Sequence, residues 1–383
     1  MKEREEDENM ELLDIQKRVY AEIDLNALEH NYNSFEKPVC LVVKADAYGH
    51  GSKMISSFLE ERGANYFAVS NIEEALELRN AGVKANILIL GYTNPACTII
   101  LASNNIEQCV YSYEYAKELN EYAKKENVKI KVHIKIDTGM GRLGFQIKEN
   151  HNEIEDAYLA CKESNLMPLG IFTHFSKADE GINEYTLQQF KYFNYAINYL
   201  EEKGIKFKYK HCANSAALLD YKDTRLDMGR LGISLYGINP SPNKHDLKNV
   251  LTLKSLVSHV KMIKKGDYIS YNCKFQASED MLVATIPVGY ADGIMRSSTG
   301  FYVLINNKKC EIIGTICMDQ MMVKTEDAEV GDEVIIYGSG IDIKDAALYN
   351  HTIAYTLLCA ISRRVPRVYK YNGEIIAIRD DLI

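Results

Sequence analysis

The chain has 383 residues, 46% hydrophobic and 26% charged, with 45 basic against 53 acidic residues and a formal net charge of −8. That composition excludes a disordered, collagenous or fibrous chain, and the length calls for two domains or one large barrel plus an addition. A mildly acidic chain with no long Lys/Arg run is a poor match for a phosphate backbone, so nucleic acid is not an expected partner.

The N-terminal stretch MKEREEDENMELLDIQKR is charged and lacks the apolar centre of a signal peptide. Residues 1–19 read as an N-terminal extension, either a disordered tail or an edge packed on the C-terminal domain. From about residue 20, short apolar runs at 40–43, 66–70, 86–91, 108–112, 128–137, 169–174, 209–214 and 232–237 alternate with amphipathic stretches. The stretches at 52–62, 71–81, 113–127, 149–164 and 184–203 predict helices, with Ser52 as one cap and Asn71 with Glu74 three residues on as another. Strands buried on both faces and separated by helices mean parallel β/α units. Eight such runs in this length predict a TIM-type (β/α)8 barrel over 20–245, ranked ahead of a doubly wound sheet.

The segment NPSPNKHDLKN at 239–249 has the Pro, Asn and charge of a linker. Beyond it, β-branched or alternating runs at 251–264, 281–290, 302–316, 321–325, 333–337 and 368–378, broken by one helical stretch at 344–360, predict a mostly antiparallel β domain over 246–383. No apolar stretch of 18 residues occurs, so no membrane association is expected. The nine cysteines are odd in number and form no C-x-x-C pair, which signals neither a metal site nor a secreted disulfide framework. A cytoplasmic location is the expectation.

In a barrel, function gathers where strands end at the C-terminal face. Lys44 ends the run LVVK. It is either a surface lysine at a strand exit or an amine in the barrel mouth, where desolvation makes it nucleophilic toward carbonyls. Gly49 and Gly51 follow it and suit close approach of the backbone to a ligand, with the Tyr48 hydroxyl as a donor. The segment DTGMGRLGF at 137–145 contains G-x-G-x-x-G, but no helix cap follows its third glycine as a dinucleotide fingerprint requires. It reads as a glycine-rich loop presenting Arg142, suited to a carboxylate or simply exposed. His174 ends the sixth run. Ser215 and the backbone near Gly232 have the makings of a phosphate cradle, with Arg230 beside it. In the β domain, Tyr271, Tyr290 and Cys317-Met318-Asp319 stand in ISYNCKF, PVGYADG and GTICMDQMM. Cys310 and Cys317 have no base beside them in sequence and read as small buried hydrophobes.

Together these segments resemble the bacterial alanine racemases, fold type III enzymes dependent on pyridoxal 5′-phosphate (PLP). The resemblance runs from AEIDLNALEHNY to SRRVPRVY. Between them stand VVKADAYGHG, HIKIDTGMGRLGF, FTHF, CANSAA, RLGISLYG, ISYNCKF, IPVGYADG and GTICMDQMMV, in the family's order and with 19 residues from Tyr271 to Tyr290. It implies reversible interconversion of L- and D-alanine, supplying D-alanine for peptidoglycan, in a homodimer with shared active sites and an amino-acid substrate. Lys44 resembles the lysine that carries PLP covalently and acts as base on one face. Tyr271 resembles the acid/base of the opposite face, contributed by the partner subunit. Arg230 matches the arginine at the pyridine nitrogen, and His174 the residue supporting it and the catalytic tyrosine. Tyr48, Ser215, Gly232, Ile233 and Tyr290 match cofactor contacts. Arg142 and the backbone of Met318, the latter from the partner subunit, match the substrate-carboxylate site, and Lys135 the position where relatives carry a carbamylated lysine.

The residue types suit the chemistry. Racemisation removes an α-proton from one face and returns one to the other, which needs two groups on opposite sides, each worth about 10²–10⁴-fold. PLP supplies the electron sink. An arginine at its ring nitrogen gives up no proton, which weakens the sink and disfavours side reactions. The Tyr271 phenol needs neighbours such as His174 and nearby cations to serve as a base.

One position departs from the pattern: Arg363 stands in ISRRVPR where many relatives have a tyrosine lining the pocket. The change predicts some serine racemisation. The competing readings are a broader-spectrum racemase, a fold type III decarboxylase (opposed by Arg230), a non-catalytic PLP-binding barrel (opposed by the β domain) and a dinucleotide-dependent oxidoreductase.

Overall fold

The computed structural model describes residues 18–382. The residues 1–17 of the expected N-terminal extension lie outside the described residues. The chain forms two compact units. Of the described residues, one holds 18–30, Tyr48–Gly51 and 248–382, and the other holds Asn31–Ala47 and Ser52–Leu247.

The second of these is a (β/α)8 barrel. Its strands are β1 (Val39–Val42), β2 (Tyr66–Val69), β3 (Asn86–Ile89), β4 (Ile106–Val110), β5 (Ile130–Asp137), β6 (Leu166–Phe172), β7 (Tyr209–His211) and β8 (Gly229–Leu231). They pair in the order β7-β6-β5-β4-β3-β2-β1-β8, every pair parallel. Pairing of β8 with β1 sets the last strand beside the first, as a (β/α)8 barrel requires. Between β7 and β8 there is no ladder, but Asp227 N–H donates to Lys210 O at 3.1 Å and Arg230 N–H to Ala213 O at 2.9 Å. Strands β1, β2 and β4 are buried at every position, as continuous apolar runs in a helix-covered parallel sheet require.

Helices Ser52–Glu60, Ile72–Asn80, Tyr113–Lys125, Ile154–Cys161 and Glu184–Glu202 alternate with the strands. The Asn71 cap forms, its side chain accepting from Glu74 N–H at 2.9 Å. Ser52 is not a cap but the first helical residue, its own N–H donating to Asp46 Oδ1 at 2.8 Å. The last predicted strand also shifts: β8 is Gly229–Leu231, and most of 232–237 is a 3-10 turn, Ile233–Tyr236, opening at Gly232. The apolar run there is burial around a turn rather than a strand.

The other unit is a ten-stranded sheet with one parallel pair, Val19–Asp24 against Arg367–Tyr371, and otherwise antiparallel neighbours. Val19–Asp24 also pairs antiparallel with Leu251–Leu256. The division expected at 245/246 therefore does not follow the chain linearly, because the opening strand takes its hydrogen bonds from strands more than 200 residues away. The run at 302–316 is a hairpin, Tyr302–Ile305 and Lys308–Ile313, turned at Asn306 (φ 52) and Asn307 (φ 61). The helical stretch expected at 344–360 is two helices, Ile343–Tyr349 and Ala354–Ala360. The Asn350 side chain caps the first by donating to Ala346 O at 2.8 Å, and His351 takes φ 52. No described helix is long and apolar enough to cross a membrane.

Candidate active site

Lys44 stands two residues past β1. The four residues after it, Ala45 to Tyr48, all have φ between 51 and 54. A left-handed turn of non-glycine residues costs roughly 1–2 kcal/mol per residue, so its surroundings must hold it. Glu74 Oε1 accepts Ala45 N–H at 2.8 Å, and Asp46 Oδ1 accepts Ser52 N–H at 2.8 Å. Glu74 thus joins the cap of its own helix to the backbone beside Lys44. Gly49 (φ 81) closes the turn, where a side chain would strike the Leu358 carbonyl. Its smallness admits the chain's own backbone, not the ligand expected from sequence.

Arg230, on β8, is 3% exposed. Its Nη1 donates to His211 O at 3.0 Å, and its Nη2 donates to Thr173 O at 2.7 Å and Cys212 O at 3.1 Å. Nη1 is 3.0 Å from His211 Nδ1, and Nη2 is 3.4 Å from His174 Nδ1. Burial pulls Arg230 down to about 10, which leaves it charged at neutral pH. His174 and His211 are both pushed well below the usual imidazole range, first by burial and then by the Arg230 cation. Lys135, Arg142 and Lys44 add to the effect at His174, so that imidazole is neutral.

Lys135 points into the same interior. It is 4% exposed, its Nζ lies 4.8 Å from the Phe172 ring centroid, and it has no hydrogen-bond partner. Burial and the Arg230 charge lower it to about 7. Arg142 is exposed on the glycine-rich loop, which Asp137 organises by accepting Gly139 N–H at 2.8 Å, Gly141 N–H at 3.1 Å and Arg142 N–H at 3.2 Å. Burial alone would raise the Asp137 carboxyl, but these amides hold it below its usual value. Gly144 (φ 124) returns the chain against β5, where a Cβ would sit 2.7 Å from Asp137 N and 2.8 Å from Lys135 O. The segment then continues as strand Phe145–Lys148 rather than a helix, which removes the dinucleotide reading.

Ser215 Oγ accepts Gly232 N–H at 2.9 Å and Ser234 N–H at 3.4 Å, where the turn Ile233–Tyr236 begins. The Ser234 hydroxyl oxygen is itself buried without a partner. Hydroxyls and amides converging at the end of β8 fit an anionic phosphate group.

The β unit carries the other expected residues. Tyr271 is 64% exposed, in a loop where Ser270 (φ 66), Asn272 (φ 62) and Cys273 (φ 49) are all left-handed. Ser270 Oγ donates to Thr315 O, and Thr315 Oγ1 donates to Tyr271 O at 3.3 Å, so the loop is pinned to the strand end leading to Met318. Tyr290 and Met318 are also exposed, and their segments meet where Tyr290 N–H donates to Cys317 O and Ala291 N–H to Met318 O. Tyr48 belongs to this unit, buried with its ring centroid 5.9 Å from that of Tyr355, and burial pushes its phenol well above the usual range.

Models of the alanine racemase N-terminal and C-terminal domains match residues 23–240 and 250–369. The chain belongs to the alanine racemase family. It is 43% identical over 379 residues to alanine racemase 1 of Clostridium acetobutylicum, covering 94% of this chain and 98% of that one. The solved structure of the Clostridium difficile 630 alanine racemase superposes with a TM-score of 0.91 at 40% identity, over 96% of this chain and 100% of that one. The Bacillus anthracis enzyme, solved with bound L-Ala-P, superposes at 0.89 with 33% identity, over 96% and 98%.

For this racemase chain the barrel brings Lys44, Lys135, His174, Ser215, Arg230, Gly232 and Ile233 to one unit with Arg142 on its loop, while Tyr48, Tyr271, Tyr290 and Met318 lie in the other. Sequence reasoning passed over the supports inside the barrel. His211 Nε2 lies 2.9 Å from His133 Nδ1, and His133 Nε2 lies 3.0 Å from Glu107 Oε2, which also receives the Tyr66 hydroxyl. Arg230 only donates, so His211 Nδ1 accepts, and each imidazole passes an Nε2–H on toward Glu107. The signal was present in IKVHIKID, where His133, Lys135 and Asp137 recur at a period of two on one strand face.

Proposed function

We propose that the chain interconverts L- and D-alanine with PLP bound covalently through Lys44, and that Tyr271 of a second copy works on the opposite face. Ser215 and the Gly232 and Ile233 backbone would hold the phosphate, Arg230 would face the ring nitrogen, and PLP when bound supplies the electron sink for the α-carbon. Arg142, with the Met318 amide of a second copy, binds the substrate carboxylate. The Lys44 amine takes the α-proton on one face, and the Tyr271 phenol gives one back on the other. Neutral His174 accepts hydrogen bonds and keeps Arg230 aimed. In a bacterial cell this would supply D-alanine for peptidoglycan.

The observation that carries this reading is Arg230: its guanidinium bonds to three carbonyls and two imidazoles, and no carboxylate is among those partners. A guanidinium gives no proton to a ring nitrogen, so the site favours simple proton exchange.

Tyr271→Phe tests the reading. Racemisation should fall by at least about 10²-fold, while exchange of the α-hydrogen with deuterated solvent persists for one enantiomer only. Exchange of both enantiomers at parental rates rejects the two-sided arrangement. Co-expressing Lys44→Ala with Tyr271→Phe should restore activity in mixed dimers, whose one intact site takes Lys44 and Tyr271 from different copies. No restoration rejects shared sites.

A further inference from the structure

In the unit carrying Tyr290 and Met318, one carboxylate gathers contacts from three separate segments. Asp292 is fully buried. It accepts Arg18 Nη2 at 2.7 Å and Arg18 Nη1 at 3.1 Å, accepts Gly289 N–H at 2.9 Å, and pairs with Arg364 Nε at 3.1 Å. A buried carboxylate persists only when its charge is met and its lone pairs are filled. Here two guanidiniums meet it, and Arg364 shares its own charge with half-exposed Asp319 through Nη2 at 2.8 Å.

The contacts lead to the backbone of Met318. The turn after Gly289 lies directly on the segment Cys317–Met318: Tyr290 N–H donates to Cys317 O at 3.1 Å and Ala291 N–H to Met318 O at 3.0 Å. Any side chain at 289 would strike both carbonyl oxygens, so only glycine allows the approach. The facing segment is itself a turn, closed by Cys317 N–H to Gln320 O at 2.9 Å. Asp292 therefore grips one turn through the Gly289 amide and the other through Arg364 and Asp319, next to Met318.

We propose that Asp292 is a positioning residue for the reaction, fixing through Gly289 and Arg364 the Met318 amide that receives the substrate carboxylate. The inference rests on the racemase reading above, which gives Met318 that task. It assigns a purpose to a charge cluster outside the residues of that reading, and it explains why a buried aspartate takes an arginine shared with a surface carboxylate.

Two variants test it in the PLP-loaded enzyme. Asp292→Asn removes the charge, and Arg364→Met cuts the link to Asp319 while leaving the Arg18 and Gly289 contacts. Both should raise KM for L-alanine by about tenfold or more, lower kcat less, and leave the bound cofactor content unchanged. Amide hydrogen exchange should quicken at 289–291 and 317–320 in both variants and stay parental elsewhere. Should Asp292→Asn fail to fold, Arg364→Met alone decides. Parental KM and exchange in Arg364→Met overturn the proposal, as does exchange that quickens throughout the chain. A parent enzyme with no alanine turnover overturns the racemase reading instead.

Discussion

Lys135 is an amine held where an ammonium ion is expensive, and the cost can be measured. It is 4% exposed and unpartnered, and burial with the Arg230 charge brings it from 10.5 to about 7. The folded chain thus holds this proton less tightly than the unfolded chain, so the unfolded state binds more protons between about pH 7 and 10.5. Stability must therefore rise with pH across that window. At ~1.36 kcal/mol per pH unit the span is worth ~5 kcal/mol, fully lost below its lower end and fully recovered above its upper end. Lys135→Met keeps the apolar stem and removes the titration. At neutral pH the variant should be more stable than the parent by ~4 kcal/mol, and the gap should close as pH rises toward about 11. Urea unfolding of both chains across this pH range measures the gap directly. The family resemblance adds a second arm. Carbon dioxide bonds to the neutral amine nitrogen with loss of one proton, giving a carbamate, so bicarbonate should stabilise the parent and leave the variant unchanged. A gap independent of pH, or a variant weaker at every pH, refutes the reasoning that the amine is buried and uncompensated.

Arg230→Met strips a donor from the carbonyls of Thr173, His211 and Cys212 and leaves the His211–His133–Glu107 chain without its cationic end. It should destabilise the barrel by about 3 kcal/mol or more in denaturant unfolding, and a loss under ~1 kcal/mol would mean those carbonyls are satisfied without it. Gly144→Ala should cost about 1–3 kcal/mol because its Cβ meets the backbone of β5 at φ 124. Gly141→Ala at φ 70, with open space around it, should cost about 1 kcal/mol by the same unfolding measurement. Arg363 is exposed and lies 3.6 Å from Asp381. Assayed on both amino acids, the parent should racemise L-serine measurably, and Arg363→Tyr should lower the serine-to-alanine ratio of kcat/KM. A kcat/KM for L-serine many orders below that for L-alanine removes the idea.

What the sequence determined by itself was local and periodic. Seven of the eight buried runs spaced by amphipathic stretches are barrel strands, because a strand covered on both faces must be apolar throughout and a covering helix on one side only. The Asn71–Glu74 cap and the G-x-G-x-x-G loop were legible for the same reason, since each depends on residues a few positions apart. The motifs carried the candidate site residues, Lys44 two residues past β1 and Arg230 on β8 among them. Tertiary structure alone decided what depends on distant partners. Val19–Asp24 joins the β unit because its hydrogen bonds lie at Leu251–Leu256 and Arg367–Tyr371. The run at 232–237 is a turn because the Ser215 hydroxyl captures its amides. The charge states of Lys135, His174 and Arg230 follow from burial among one another, and the purpose of Asp292 from four groups that meet only in the folded chain. Free energy of burial and pairing belongs to places in space, and a sequence orders residues only along a line.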